Sequence, residues 1–199
     1  MAETEDVTTE EEEQQRDPEQ EARRRLALAQ VRQYPDPVLR MKAREVESFD
    51  DELVRLVQRM GRLMHDAVGV GLAATQVGIL RRVFVFQRQP EDEEAEPETL
   101  AVVNPSIVER SEETEVDDEG CLSLQGVHVP VERSTAVTLE GADEHGRPVR
   151  YQLEDLSARV VQHELDHLDG TLIIERTTVE ARKEALATLR PRPILTATG

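Results

Sequence analysis

The chain has 199 residues, which suits one compact domain with some tail to spare. Its formal net charge of −18 is uneven: residues 1–21 carry −9, residues 91–98 carry −6 and residues 109–119 carry −6, so the other residues together carry +3. No basic surface for nucleic acid is indicated, and no apolar run approaches the roughly 18 residues of a membrane span. We therefore expect neither a DNA partner nor a membrane partner.

The N-terminus combines many acids with almost no large apolar residues. Residues 1–30 are therefore predicted to form a disordered acidic tail, in which residues 23–30 are the only candidate for a short helix. This segment has neither the basic start and apolar stretch of a signal peptide nor the composition of a transit peptide. The cytoplasm is the expected location. The single cysteine, Cys121, excludes an internal disulfide.

The first strong element is an amphipathic helix within the stretch SFDDELVRLVQRMGRLMHDAVG. Ser48, with Asp51 three residues later, predicts a capping box at its start, and Gly69 is its predicted end. His65 lies off the apolar stripe and is expected in solvent. The stripe has the spacing of a helix and consists of Leu53, Leu56, Val57, Met60, Leu63, Met64 and Ala67.

Four short runs have β character, namely residues 83–86, 100–104, 135–139 and 149–153. The charged segment 87–99 is predicted to form a hairpin tip, and GADEHGRP predicts a second hairpin connection. A second helix is predicted over Asp155–Leu168, with Gly170 as its C-terminal stop. Strands at hairpin spacing with two substantial helices favour an α+β fold over alternating βαβ units.

The second helix carries the sequence QHELDHLDG. His163 and His167 are one helical turn apart and project from one face, so both can reach one divalent cation. Glu164 is close enough to handle a proton without being a ligand. Imidazole suits zinc or ferrous iron. The alternative is an ordinary helix with two unrelated histidines.

A catalytic tetrahedral site needs a third protein ligand and one open position. Cys121 in EGCLSLQG is the preferred candidate, because Gly120 allows the chain to turn and expose a thiolate. Glu175 and Glu180 are the candidates if the motif belongs to a zincin-type site. A free cysteine is otherwise often a small buried apolar residue.

A third informative segment is GVGLAATQVG, residues 69–78. Two glycines flank Val70, so the backbone can approach a ligand closely, and Gln76 supplies an amide. The segment lacks the lysine of a phosphate-binding loop, so a nucleotide is not expected. The alternative is a tight connection between a helix and a strand, with Gln76 on the surface.

Taken in order, these three segments resemble the pattern of the peptide deformylase family: GxGLAATQ, then EGCLS, then QHExDHLxG. The resemblance implies an α+β fold in which antiparallel sheets pack around a central helix that bears the HExxH motif, with a second helix in the N-terminal half. It covers roughly residues 31–176, which are the expected catalytic deformylase domain. Residues 1–30 are then the acidic tail, and residues 177–199 form a C-terminal helix and tail.

The resemblance also implies the reaction: metal-dependent hydrolysis of the N-formyl group from formyl-methionyl nascent polypeptides, with release of formate. The expected cofactor is one Fe²⁺ ion, and Zn²⁺ or another divalent metal stays open. Glu164 would transfer the proton, and the Gln76 side chain and the Leu122 backbone N–H would donate hydrogen bonds to the oxyanion. The implied metal ligands are Cys121, His163 and His167.

Substrate contacts follow from the same resemblance. The peptide would lie extended against the backbone of Val70, Gly71 and Gly120, and its methionine would contact Leu156 and Val160. Two departures from the family pattern are expected to tune the activity. Gln125 stands where many relatives have proline, and His128 stands where an arginine near the substrate path is common.

The C-terminal segment predicts a helix over residues 179–189, ended by Pro191. Residues 176–192 carry a net charge of +3, which is compatible with a weak ribosome contact and also with a solvated helix. Three alternatives for the whole chain stay open: a zincin-type metallopeptidase, a deformylase-like domain that binds formylated termini without turnover, and an adaptor that uses the acidic tail.

Overall fold

Helices and strands alternate irregularly in this computed structural model, which describes residues 17–90 and 95–189. The α-helices are α1 (Pro18–Leu28), α2 (Asp51–Asp66), α3 (Asp155–Leu168) and α4 (Val179–Thr188), and short 3₁₀ helices cover Pro37–Arg40, Ala74–Val77 and Ile173–Glu175. The strands are β1 (Gly71–Ala73), β2 (Val83–Arg88), β3 (Glu98–Arg110), β4 (Thr114–Gly120), β5 (His128–Ser134), β6 (Ala136–Ala142) and β7 (Pro148–Glu154).

The strands form two antiparallel sheets. Five of them form a sheet in the order β1-β2-β3-β6-β7, and β4 pairs with β5 in a separate two-stranded ribbon. Both predicted hairpin connections are present, one between β2 and β3 and one between β6 and β7, although residues 91–94 of the first lie outside the described part. The predicted α+β class with antiparallel sheets is confirmed.

The five-stranded sheet is covered on both faces. Val83 and Val85 of β2 pack with the apolar stripe of α2, whereas Phe84 and Phe86 pack with α3. This division follows from the alternation of side chains along a strand. The sheet therefore holds α2 and α3 on opposite sides, and β1 lies at its edge close to α3.

Helix α2 buries the predicted stripe, but its cap differs from the prediction. Asp50 is the N-cap, and its carboxylate accepts a hydrogen bond from the Leu53 N–H at 3.0 Å, so Ser48 does not cap the helix. The helix also ends at Asp66, three residues before Gly69. Both serine and aspartate can cap a helix, and here the residue next to the helix provides the cap. His65 is exposed, as predicted.

The N-terminal boundary of the ordered part was placed too late. Helix α1 begins at Pro18 with Asp17 as its N-cap, inside the range that was predicted to be disordered, and it overlaps the candidate helix of residues 23–30 but starts five residues earlier. Ala27 and Leu28 are buried against the core that α2 helps to form. Proline in the first turn after a capping aspartate is a recognised helix start, and the acidic composition obscured it. Residues 1–16 lie outside the described residues.

Strands β1, β4 and β5 were not predicted. β4 occupies most of the acidic segment 109–119, and only Glu119 among its seven residues is buried, so hydropathy gives no period-two signal. β3 was predicted over residues 100–104 but spans Glu98–Arg110 and includes Pro105. A register shift between Val103 and Ser106 accommodates the proline there. Within the described ranges, no helix has the length and apolarity to cross a bilayer.

Candidate metal centre and active site

Three side chains with metal-ligand atoms converge behind β1. Cys121 follows β4 directly, and His163 and His167 project from α3. The Cys121 Sγ lies 3.3 Å from the His167 Nε2, and the two histidine Nε2 atoms are 3.2 Å apart. All three atoms lie within 4.8 Å of one another. Among the described residues, these three side chains form the group whose ligand atoms are close enough to hold one metal ion.

The spacing of these atoms fits one cation. For a tetrahedral site with metal–sulfur and metal–nitrogen bonds of ordinary length, two nitrogens are about 3.3 Å apart and a nitrogen and a sulfur about 3.5 Å apart. The observed separations, 3.2 Å and 3.3 Å, are close to these values. A soft thiolate with two imidazoles is a donor set for a divalent transition metal.

Two N–H groups are directed at the Cys121 sulfur. The Ser123 backbone N–H lies 3.4 Å from Sγ, and the Gln76 Nε2 lies 3.7 Å from it. These contacts hold the sulfur in place and complement a negative charge on it.

Glu119 orients the first histidine. Its Oε2 lies 3.0 Å from the His163 Nδ1, and Arg133 donates to the same carboxylate at 2.9 and 3.0 Å. Burial raises the pKa of Glu119, but the hydrogen bonds from His163 and Arg133 outweigh it and lower the pKa to about 2. An ionised Glu119 makes the His163 Nδ1 the donor, so Nε2 is the ring nitrogen left to bind a metal.

Sequence reasoning missed Glu119, which it counted only as one of the acids of residues 109–119. The side chain is 5% exposed, and it also accepts a hydrogen bond from Arg159 of α3 at 3.0 Å. Arg133 in turn donates to Asp166 at 2.7 Å. The only sequence signal was the position of Glu119 two residues before Cys121, because its burial depends on arginines that are distant in sequence.

The two histidines differ in their proton affinity. Burial lowers the pKa of His163, but hydrogen bonds with Cys121 and Glu119 outweigh it and hold that pKa well above its usual value. Burial, together with the charge on His163, lowers the pKa of His167 well below its usual value. A cation that binds both imidazoles must therefore displace a proton from His163, as metal binding to such ligands generally does.

Glu164 lies beside the histidines at the bottom of a cavity. It is 3% exposed, and burial raises its pKa to about 7. Its Oε2 has no hydrogen-bond partner within the described residues, and its other carboxylate oxygen packs directly against Gly71. A carboxyl group whose pKa is near neutrality can both accept and return a proton.

Gln76 and Leu122 lie close to the same point. Gln76 is 1% exposed, which excludes the surface position considered from sequence. Its Oε1 accepts the Ala73 N–H at 2.9 Å, and its Nε2 donates to the Ser123 Oγ at 3.1 Å. The Leu122 carbonyl accepts a hydrogen bond from the Gln33 side chain at 3.0 Å, which fixes the peptide between Cys121 and Ser123.

A cavity of about 460 Å³ opens from this point to the surface. Ten of the eleven residues that the sequence analysis proposed for the site line it. They are Val70, Gly71, Gln76, Gly120, Cys121, Leu122, Leu156, Val160, His163 and Glu164. The eleventh, His167, is 1% exposed and lies behind the lining, with an Nδ1 that has no partner within the described residues.

The carboxylates considered for a zincin-type site do not reach the histidines. Glu175 is exposed, accepts the Leu172 N–H at 3.0 Å and pairs with Arg40. Glu180 is exposed on α4. Neither joins Cys121 in the ligand group of the described chain. The Cys121 side chain thus occupies the place that such a site would give to a carboxylate.

The two departures from the family pattern both lie at the cavity. Gln125 and His128 are exposed and line its mouth. The His128 ring packs over Gly120, where a Cβ would meet the His128 Nε2 at 2.8 Å. The expected effect of these two residues on activity stays a prediction.

Comparison with known proteins gives a consistent result. A sequence model of the family described as polypeptide deformylase matches residues 28–183. The chain is 43% identical over 160 residues to the peptide deformylase of Desulforudis audaxviator, which covers 80% of this chain and 100% of the relative. It is 45% identical over 153 residues to the peptide deformylase of Clostridium botulinum, and the match covers 77% of this chain and 99% of the relative.

Solved structures agree with the sequence comparisons. A peptide deformylase from Synechococcus elongatus in complex with actinonin is 41% identical and superposes with a TM-score of 0.72, covering 79% of this chain and 85% of that one. A peptide deformylase from Ehrlichia chaffeensis superposes with a TM-score of 0.74 at 30% identity, and the match covers 80% of this chain and 93% of that one. The chain therefore belongs to the peptide deformylase family, the metal-dependent hydrolases that remove the formyl group from N-formylated polypeptides.

Proposed function

We propose that the cavity performs this deformylation with the residues gathered at its closed end, and that its substrates are formyl-methionyl nascent polypeptides. The observation that carries the proposal is the position of the buried carboxyl group of Glu164 beside the convergent ligand atoms of Cys121, His163 and His167. Helix α3 is then the central HExxH-bearing helix, because it supplies both histidines and the glutamate to one side of the sheet.

The cofactor that we propose is one divalent cation held by Cys121, His163 and His167, with Fe²⁺ as the ion in the cell. Zn²⁺ fits the same donor set, and the general order of metal affinities favours it over Fe²⁺. A bound divalent cation supplies a hydroxide nucleophile near neutral pH and polarises a carbonyl oxygen. Glu119 supports the site by orienting His163.

Glu164 carries the proton between the two halves of the reaction. It takes a proton from the attacking water as the new carbon–oxygen bond forms at the formyl carbon. It then returns the proton to the nitrogen as the carbon–nitrogen bond breaks, which gives formate and a free amine. A pKa near 7 suits both steps, and such proton transfer typically contributes about 10²- to 10⁴-fold in rate.

Gln76 and Leu122 stabilise the oxyanion that develops when the formyl carbon becomes tetrahedral. The amide of Gln76 is buried and fixed by Ala73 at one end, so its N–H does not have to reorganise during the reaction. The Leu122 backbone N–H lies in the segment that Gln33 and the Cys121 turn hold in place. Preorganised donors of this kind are each worth about 10²- to 10³-fold in rate.

The substrate peptide extends along the free edge of β1. The Val70 carbonyl accepts a hydrogen bond from the Gln87 N–H at 2.8 Å, so Val70 directs this group toward β2. Backbone groups alternate along a strand, and those of Gly71 therefore face away from β2. Gly120, at the end of β4, lines the same cavity. An added strand between them would be recognised largely through its backbone.

The methionine side chain packs against Leu156 and Val160 of α3, which line the cavity. Recognition of one side chain plus backbone suits an enzyme that acts on many different polypeptides. The cytoplasm, where nascent chains are made, is the proposed location. A ribosome contact through α4 stays a prediction, and Arg190, Arg192 and Pro191 of that segment lie outside the described residues.

The test is formate release from a formyl-Met-Ala-Ser peptide by the full chain, loaded with iron under anaerobic conditions. Glu164→Gln is the matched control, because it keeps all three metal ligands and removes the proton carrier. We expect the control to retain its metal and to lose about 10²- to 10⁴-fold in kcat. Wild-type protein that binds metal and peptide but releases no formate would instead favour a binding domain without turnover.

A further inference from the structure

Helix α1 brings a cation to the mouth of the cavity. Arg24 and Leu28 lie one helical turn apart on this helix, and both line the cavity. The family match begins at residue 28, so most of α1 precedes the part of the chain that resembles the family model. Leu28 is buried in the core beside α2, and this anchors the helix in its position.

Of the other charged groups that line the cavity, Asp118 is exposed and carries a negative charge, and the rest are paired or lie at the closed end. Glu119 and Arg159 pair with each other at 3.0 Å, and Glu164 lies at the closed end. The Arg24 guanidinium has a contact of 3.7 Å with Glu21, in which the two side chains are 29% and 37% exposed. Such a partly exposed pair is worth little, so Arg24 can turn to a bound anion at small cost.

The direction of the substrate places its later residues near Arg24. On the proposed function, the formyl group lies at the closed end beside Glu164, so the peptide must leave through the mouth. The mouth includes Val68 and Gly69, which lead into β1, and Arg24 lines the cavity with them. Arginine binds carboxylate in a forked, charge-assisted geometry.

We infer that Arg24 is a substrate-positioning residue that pairs with a carboxylate of the peptide downstream of the formyl-methionine. The carboxylate can be an acidic side chain or the C-terminus of a short peptide. This inference rests on the proposed function, because the direction of the peptide follows from it. It gives the N-terminal helix a role in substrate preference.

The test uses the full-length, iron-loaded protein and three peptides. Formyl-Met-Ala-Ser amide carries no carboxylate, formyl-Met-Ala-Ser acid carries one at its C-terminus, and formyl-Met-Ala-Asp amide carries one on a side chain. The variants are Arg24→Gln and Arg24→Lys. The matched control is Arg23→Gln, because Arg23 also pairs with a glutamate of α1, Glu19, but does not line the cavity.

We expect Arg24→Gln to raise KM about three- to tenfold for at least one carboxylate peptide, with kcat unchanged and with no change in KM for the neutral amide. Comparison of the KM changes for the acid and for the aspartyl peptide shows whether Arg24 binds the C-terminal or the side-chain carboxylate. Arg24→Lys keeps the positive charge, so its KM for the carboxylate peptides should lie between those of the wild type and Arg24→Gln. The preference of the wild type should weaken as salt is added, since the pair is partly exposed.

Equal KM values for wild type and Arg24→Gln with both carboxylate peptides would overturn the inference. So would an equal rise in KM for the neutral amide, or the same effect in Arg23→Gln, because either result would indicate a structural role of α1. Failure of the wild type to release formate from the neutral amide would contradict the proposed function itself, and the role of Arg24 with it.

Discussion

Substitution of Gly71 by alanine should separate the fold from the chemistry. A Cβ at this position would lie 2.3 Å from the Glu164 Oε1, 2.9 Å from its Cδ and 3.0 Å from its Cγ. Ordinary contacts between such atoms are about 3.4 Å or longer. The carboxylate of Glu164 must therefore move by about 1 Å, and the backbone of Gly71 that faces the substrate keeps its conformation.

The size of the effect follows from that displacement. A misplacement of about 1 Å at the reacting groups can cost about 10²-fold in rate. Overpacking a buried site costs about 1–3 kcal/mol of the free energy of unfolding, and Glu164 is 3% exposed. We therefore expect Gly71→Ala to fold and to bind metal normally, because the carboxylate at the end of the Glu164 side chain can turn away from the added Cβ. The same displacement should lower kcat about 10²-fold.

Formate release and thermal unfolding are the two measurements. Gly61→Ala is the matched control: Gly61 lies in α2, and the nearest atom to its added Cβ is the Thr99 Cγ2 at 3.8 Å. That variant should keep its activity and gain about 0.5–1 kcal/mol in stability. A folded Gly71→Ala protein with kcat within twofold of wild type would refute the requirement for Glu164 at its observed position.

Two further substitutions test the surroundings of the metal. Gln76→Ala removes the acceptor of the buried Ala73 N–H, so we expect thermal unfolding to show a loss of about 1–3 kcal/mol in stability. It also removes an oxyanion donor, so kcat should fall about 10²- to 10³-fold. Turnover close to wild type would remove Gln76 from the mechanism. Glu119→Gln leaves the buried Arg159 without its counter-charge, whereas Arg133 keeps Asp166, so unfolding by urea should show a loss of about 3–5 kcal/mol. Metal titration should show a 10- to 100-fold weaker affinity, because Glu119 no longer orients His163 as a carboxylate. Glu115→Gln, on the exposed part of β4, is the control. Unchanged metal affinity in Glu119→Gln would contradict the orientation of His163 by Glu119.

Sequence alone predicted the parts of the fold that depend on local patterns. The helix stripe of α2 is periodic over four turns, and its apolar residues are buried as expected. The strands β2, β3, β6 and β7 carry apolar runs that indicated their approximate positions, although most extend farther than the runs. The β2–β3 and β6–β7 pairings followed from the hairpin spacing, whereas the β3–β6 pairing that joins them into one sheet was not predicted.

The parts that were missed depend on contacts between distant segments. β4 and β5 form a ribbon in which the buried group on β4 is the charged Glu119, and its burial requires Arg133 of β5 and Arg159 of α3. No local pattern encodes that arrangement. The placement of Cys121 beside the histidines is also non-local: no spacing predicted it, and it was expected from the need for a third ligand, from the preceding Gly120 and from the family resemblance.

The direct test of the metal centre is X-ray absorption at the metal edge of the zinc-loaded protein, with Cys121→Ser measured beside it. We expect one ion per chain, one sulfur at about 2.3 Å and imidazole nitrogens at about 2.0–2.1 Å, with the sulfur lost in the variant. A wild-type spectrum with only nitrogen and oxygen ligands, or a sulfur that persists in Cys121→Ser, would contradict the convergence of Cys121, His163 and His167 on one cation.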